Sequence, residues 1–119
     1  MAWSFSSERP VYVQIAERII TSVITGDYKP GEQIPTVRQL ALTAAVNPNT
    51  VQHAFSELEN EGIIISMGTA GRFVTEDTAI IENCRKKVTE QTVSDFIKRV
   101  RKLSVSKDEI ITIIGEKME

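Results

Sequence analysis

Apolar residues recur along this chain in several distinct rhythms, and each rhythm predicts an element. Val11, Ile15, Ile19 and Val23 fall at four-residue steps, with Tyr12, Ala16, Ile20 and Ile24 beside them. That broad stripe predicts a core helix opening at Pro10 and ending at Gly26, with Glu8 near its start suiting the helix dipole. Asp27-Tyr28-Lys29-Pro30-Gly31 reads as a turn, because Pro30 presets φ and Gly31 tolerates a positive one. Glu32-Gln33-Ile34 then runs extended into Pro35, which disfavours helix at the residue before it, and Ile34 is expected to point inward.

Two shorter helices follow. Val37, Leu40 and Ala41 share one side of the first, and Val51, Ala54, Phe55 and Leu58 form a stripe on the second. Thr36 with Gln39 makes a capping box for the first. Asn47 caps the second, and Pro48 supplies the fixed φ favoured at the first helical position. Gly62 stops it. Ile63–Ser66 and Arg72–Thr75 are β-branched or aromatic runs joined by Met67-Gly68-Thr69-Ala70-Gly71, a linker whose glycines suit a hairpin. A helix-turn-helix followed at once by a two-strand hairpin is a winged helix.

The remainder, residues 76–119, reads as helical. Thr78 is placed to cap a helix carrying Ile81, Cys84, Val88, Val93, Phe96, Ile97, Val100 and Leu103. At ~1.5 Å per residue it is ~40 Å long, too long to bury its stripe against a small winged helix alone. Ser106 with Glu109 is a further capping box, opening a short helix loaded with Ile110, Ile111, Ile113 and Ile114. So much apolar surface calls for a partner, and a twofold dimer is the economical one. Its expected contacts are Ile81, Val88, Phe96, Val100, Leu103, Ile110 and Ile114. The fold class is therefore mainly α with a small β-hairpin wing (α+β). Residues 1–75 form a winged helix-turn-helix domain and residues 76–119 a two-helix dimerisation tail.

The residues off the apolar stripe of the second short helix carry the candidate chemistry. At ~100° per residue, Asn49, His53 and Ser56 lie opposite Val51, Phe55 and Leu58, with Thr50 and Gln52 at their flanks. Asn and Gln can each make paired hydrogen bonds to an adenine edge in the major groove, and a helix start offers N–H groups to a phosphate. The other reading of that face is an ordinary solvated surface.

Charge complicates the picture. Residues 1–75 hold five cations (Arg9, Arg18, Lys29, Arg38, Arg72) and seven anions (Glu8, Glu17, Asp27, Glu32, Glu57, Glu59, Glu61), so 5 − 7 = −2. Residues 76–119 hold nine of each and sum to zero. The basic footprint usual in DNA-binding domains is missing in bulk, although a dimer doubles each phosphate contact. Arg85-Lys86-Lys87 and the basic run at residues 98–102 read as solvated faces. No apolar run is long enough to span a membrane, and the N-terminus lacks the order of a secretion signal. Cys84 is the sole cysteine and His53 the sole histidine. Hence no internal disulfide and no Cys/His metal or catalytic set is expected, and Cys84 reads as a packed helix residue. Phosphate loops and Ser/His/Asp sets are missing too. The expectation is a cytoplasmic, non-enzymatic protein without a cofactor.

Several segments together resemble a known family. Pro10-Val11-Tyr12-Val13-Gln14-Ile15, the run from Gly26 through Lys29-Pro30-Gly31-Glu32-Gln33-Ile34-Pro35-Thr36-Val37-Arg38-Gln39-Leu40-Ala41, and Gly68 through Gly71-Arg72-Phe73-Val74 resemble the N-terminal domain of GntR-family bacterial transcription regulators. The likeness covers about residues 10–75. Val46-Asn47-Pro48-Asn49-Thr50-Val51, with Ala54-Phe55 and Glu57-Leu58-Glu59 after it, resembles the YtrA subfamily. The resemblance implies that Arg38, after the Pro35-Thr36 step, contacts phosphate or a guanine edge, with Thr36 beside it. It implies recognition-helix contacts at Asn47, Asn49, Thr50, Gln52 and His53, and wing contacts at Met67, Gly68 and Thr69. The chain departs from the pattern where relatives carry a basic residue in place of His53 and near Ser66 and Met67. It departs again at Arg72, where relatives commonly have Thr; this arginine is expected to restore one DNA-contacting charge.

The implied function is a homodimeric regulator on a palindromic, inverted-repeat operator, commonly a repressor and often of transporter operons. An unknown small-molecule effector, if one acts, is expected between tail and winged helix or across the dimer. Relatives fused to an aminotransferase-like domain run several hundred residues longer, as do those with large effector domains. The alternative is a winged-helix protein-interaction module with little DNA affinity.

Overall fold

The computed structural model describes residues 2–119. They divide into two compact units, Met1–Arg85 and Lys86–Glu119. The first contains α1 (Val11–Thr25), α2 (Val37–Ala44), α3 (Pro48–Asn60), β1 (Ile64–Ser66), β2 (Arg72–Val74) and the first turns of α4 (Thr78–Arg101).

The periodic residues of the three leading helices meet in one core. Ile15, Ile19 and Val23 of α1 join Leu40 and Ala41 of α2 and Val51, Ala54, Phe55 and Leu58 of α3. Ile34, Ile63, Ile64 and Val74 close it. Each large side chain buried this way contributes roughly 1.5–3 kcal/mol. Phe55 is fully buried, so Phe55→Ala leaves a cavity costing ~3–5 kcal/mol.

Caps set where the helices begin. The Thr36 hydroxyl accepts from the Gln39 N–H, and the Gln39 side chain accepts from the Thr36 N–H. The Asn47 Oδ1 accepts from the Asn49 N–H at 2.8 Å, with Pro48 opening α3. Between α2 and α3, Ala45 sits in the left-handed region at φ 59°. Such a conformation costs a non-glycine residue ~1–2 kcal/mol. The tight turn repays it locally, because the N–H groups of Ala45 and Val46 both reach the Ala41 carbonyl.

The wing is an antiparallel pair in the register Ile64↔Val74, Ile65↔Phe73, Ser66↔Arg72. A single 3₁₀ turn at Gly68–Ala70 forms its tip. The segment before α2 extends the sheet: Gln33 bridges Phe73, the Ile34 N–H donates to the Arg72 carbonyl, and the Val74 N–H donates to the Glu32 carbonyl. Gly71, at φ 108°, leaves room for Gln33, whose Nε2 donates to the Ala70 carbonyl; a Cβ on Gly71 would lie 2.6 Å from that nitrogen.

Two features differ from the sequence reading. Asp77, not Thr78, caps α4: its carboxylate accepts from the Ala79 N–H, and Thr78 is the first helical residue. A carboxylate one residue upstream of the helix reaches the free N–H of its second residue, Ala79, which Thr78 cannot do once its own backbone is helical. The second is the N-terminal segment, in which Trp3 and Phe5 pack on the core and the Trp3 N–H donates to the Ala44 carbonyl. Gln14 clasps this segment by accepting from the Ser6 N–H and donating to the Ser6 and Arg9 carbonyls.

The first turns of α4 pack Ile80, Ile81 and Cys84 against the same core. Ile81, expected at a dimer interface, therefore lies within the first unit. The second unit holds the rest of α4 and α5 (Lys107–Lys117), the latter capped by Ser106, which accepts from the Glu109 N–H. No described residue in it is buried. Val88, Val93, Ile97, Leu103, Ile111, Ile113 and Ile114 are exposed, while Phe96, Val100 and Ile110 are half-covered. No helix among the described residues is long and apolar enough to cross a membrane.

Candidate nucleic-acid interface

The outer side of α3 is polar because its inner side is fully used by the core. Asn49, Gln52, His53 and Ser56 are exposed, and Thr50 is half-buried. The N–H groups that open α3 are not available to an anion, contrary to expectation. Asn49 donates to the Asn47 Oδ1, and Thr50 and Val51 donate to the Asn47 carbonyl. Asn47 is thus spent on capping through both oxygens, and its Nδ2 is what it can offer outward.

The start of α2 is different. Thr36 and Gln39 satisfy each other, but the Val37 and Arg38 N–H groups take no acceptor among the described residues. Arg38 is the sole Lys or Arg between Pro35 and Gly62. It is exposed, and among the described residues it forms neither an ion pair nor a side-chain hydrogen bond. Open backbone donors plus a guanidinium make this helix start suited to a phosphate.

Arg9, Arg18 and Arg72, by contrast, are engaged. Arg9 pairs with Glu17 at 2.7 Å, and the Arg18 guanidinium lies 4.0 Å from the Trp3 ring centroid. Arg72, expected to restore one DNA-contacting charge, is held by neighbours within the first unit. Its Nε donates to the Glu59 Oε1 at 2.6 Å, its guanidinium lies 5.1 Å from the Phe55 ring centroid, and its Nη2 reaches the Gln52 Oε1 at 3.5 Å. The side chain is only 25% exposed, so its charge faces Glu59 rather than solvent. Sequence contained a signal for this: Gln52, Phe55 and Glu59 fall at i, i+3 and i+7 on one helix face, beside the wing.

His53 has a partner that sequence did not suggest. Its ring stacks on Tyr12 of α1, with centroids 3.5 Å apart and planes 10° apart. Its Nε2 lies 3.9 Å from the Glu57 Oε1. At the wing tip, Met67, Gly68 and Thr69 are all exposed. Arg38, the α3 face and the tip therefore all lie in the first unit.

This architecture matches known proteins. The model of bacterial regulatory proteins of the gntR family matches residues 11–74. The HTH-type transcriptional repressor YtrA of Bacillus subtilis (strain 168) is 38% identical over 87 residues, spanning 71% of this chain and 67% of that protein. Among solved structures, a GntR family transcriptional regulator from Listeria monocytogenes superposes with a TM-score of 0.85 at 36% identity, covering 94% of this chain and 98% of that one. AraR(DBD) in complex with operator ORX1 superposes with a TM-score of 0.56 at 28% identity, over 63% of this chain and 92% of that one. Helix order, wing and motif spacing agree with these likenesses: the chain belongs to the GntR family of bacterial transcriptional regulators and is YtrA-like.

Proposed function

We propose that this regulator binds an inverted-repeat operator as a homodimer and represses the genes beside it. The observation that carries the proposal is the exposed polar row of α3 next to an Arg38 that has no acidic partner among the described residues. In this reading Arg38 and Thr36 anchor the phosphate backbone. Asn49, Thr50, Gln52 and His53 address base edges, Asn47 contributes its Nδ2, and Met67, Gly68 and Thr69 of the wing fix register. The structural neighbour captured on an operator supports DNA as the ligand. The name of the YtrA relative supports repression. The uncovered apolar residues of α4 and α5 support a dimer, and a twofold protein prefers a palindromic site.

Selection of duplexes from a random pool, with wild type and Arg38→Ala, tests this. Wild type is expected to enrich one palindrome with steeply salt-dependent affinity. The slope of log K against log salt should be shallower by about 0.9 per subunit in Arg38→Ala, because one phosphate on each half-site is no longer neutralised. Undiminished affinity in the variant would remove the anchor. A second reading, a winged helix that binds protein, is favoured by the net −2 of residues 1–75 and the three glutamates Glu57, Glu59 and Glu61 at the end of α3. It requires that no duplex bind in a salt-dependent way.

A further inference from the structure

We infer that Arg72 is a positioning residue for Gln52: it turns the carboxamide so that its N–H₂ faces the DNA, and the base read there is guanine rather than adenine. The inference rests on the proposed DNA reading and deepens it.

Arg72 is held from several sides. Its carbonyl accepts from the Ile34 N–H at 2.9 Å, and its backbone pairs with Ser66 across the wing. Its guanidinium is tied to Glu59 and covers Phe55, which is fully buried. Gln52, by contrast, is an exposed side chain on a helix surface. Between the two, Gln52 is the one that adapts.

The polarity of their contact follows from charge. Arginine has only donors, so the amide oxygen must face it and the amide nitrogen must face away. At 3.5 Å the contact is long, and it orients the carboxamide more than it binds it. A glutamine free to rotate reads adenine by accepting from N6 and donating to N7. With its oxygen engaged by Arg72, Gln52 presents donors. The adenine N6 amino group then opposes a donor with a donor. Cytosine offers a donor as well, and thymine a single acceptor beside a methyl group. Guanine offers two adjacent acceptors, O6 and N7. Because Glu59 already neutralises Arg72, this arginine adds little to phosphate binding.

The test uses the full chain and a duplex library, at the operator position where Gln52→Ala relaxes base preference. Wild type is expected to prefer guanine over adenine there by roughly 5- to 100-fold. Arg72→Met should collapse or invert that ratio while leaving the salt slope unchanged. Arg72→Lys keeps the charge and the Glu59 pair but lacks the second arm toward Gln52, so it should lose the ratio too. It serves if Arg72→Met fails to fold. Combining Arg72→Lys with Gln52→Ala should add nothing further. A guanine preference retained in a folded Arg72 variant overturns the inference, as does an adenine preference in wild type. A salt slope that falls in Arg72→Lys or Arg72→Met as much as in Arg38→Ala makes Arg72 a phosphate contact and overturns it as well. If wild type binds no duplex at all, the DNA reading falls first and this inference with it; binding with unaltered base preference sinks the Arg72 role alone.

Discussion

The rings of Tyr12 and His53 lie face to face, 3.5 Å between centroids, and join the first turn of α1 to the exposed side of α3. One face of the imidazole is thereby covered and its edge stays open. A histidine at this place would otherwise sweep through several rotamers, and the stack removes that freedom before any ligand arrives. Tyr12→Leu should cost ~0.5–1.5 kcal/mol beyond the loss of buried area. His53 is the sole histidine, so its Hε1 and Hδ2 give isolated NMR signals. Loss of the Tyr12 ring current should move both downfield in Tyr12→Leu. Unmoved signals would mean that the rings do not stack in solution.

Asn47 invites a substitution that separates capping from DNA contact. Its Oδ1 caps α3, so Asn47→Ala should lower stability by ~0.5–2 kcal/mol in denaturant titrations. Asn47→Asp keeps an acceptor at the helix start and should melt near wild type. The same carboxylate withdraws the Nδ2 donor and sets a negative charge beside the duplex, so affinity should fall and do so most at low salt. An aspartate variant that binds as tightly as wild type would confine Asn47 to capping.

Local, periodic features were legible in sequence. The α1 stripe, the Thr36–Gln39 box, the Asn47-Pro48 start and the inward Ile34 all depend on residues within a few positions, and all stand in the structure. The features that escaped depend on partners far along the chain. Tyr12 meets His53 across 41 positions, and the Trp3 N–H finds the Ala44 carbonyl across another 41. Neither separation leaves a periodic trace. The partner of Arg72 was not legible because a charge count assigns none; only the fold brings Glu59 to it. The N-terminal segment escaped because Trp3 and Phe5 make too short an alternation to announce burial. In the site itself, residue types on α3 could be read directly, whereas their orientation by Tyr12 and Arg72 could not.

Tyr28 supplies a pH test of the turn after α1. Burial, and then the carboxylates of Glu32 and Asp27, push its phenol above the ordinary value. The folded state therefore holds this proton more tightly than the unfolded chain does. That stabilisation is complete below the unfolded value of about 10 and is lost as pH rises through the folded one. As pH rises above about 10, wild type should lose thermal stability more steeply than Tyr28→Phe, and the two curves should run parallel at lower pH. Parallel curves throughout would show that the phenol titrates alike in both states.

The second unit offers the sharpest test of assembly. Val93, Ile111 and Ile113 are each about half exposed, at 49%, 54% and 47%, and Leu103 is 70% exposed. A monomer would hold these side chains in water at ~25 cal/mol for every Å² of apolar surface. Pairing two copies removes that cost, and a stable interface requires burial of about 800 Å² on each partner. Ile114→Glu sets a charge into the proposed seam and should shift sedimentation from dimer toward monomer at micromolar concentration. Ile114 lies outside the first unit's core, so the melting of that core should stay close to wild type. Operator affinity should fall, because each half-site would then be held by one winged helix alone. Lys117→Glu, a charge reversal in the last turn of α5, is the control and should leave the dimer intact. A wild-type chain that sediments as a monomer, or an Ile114→Glu dimer as tight as wild type, would place the pairing surface elsewhere.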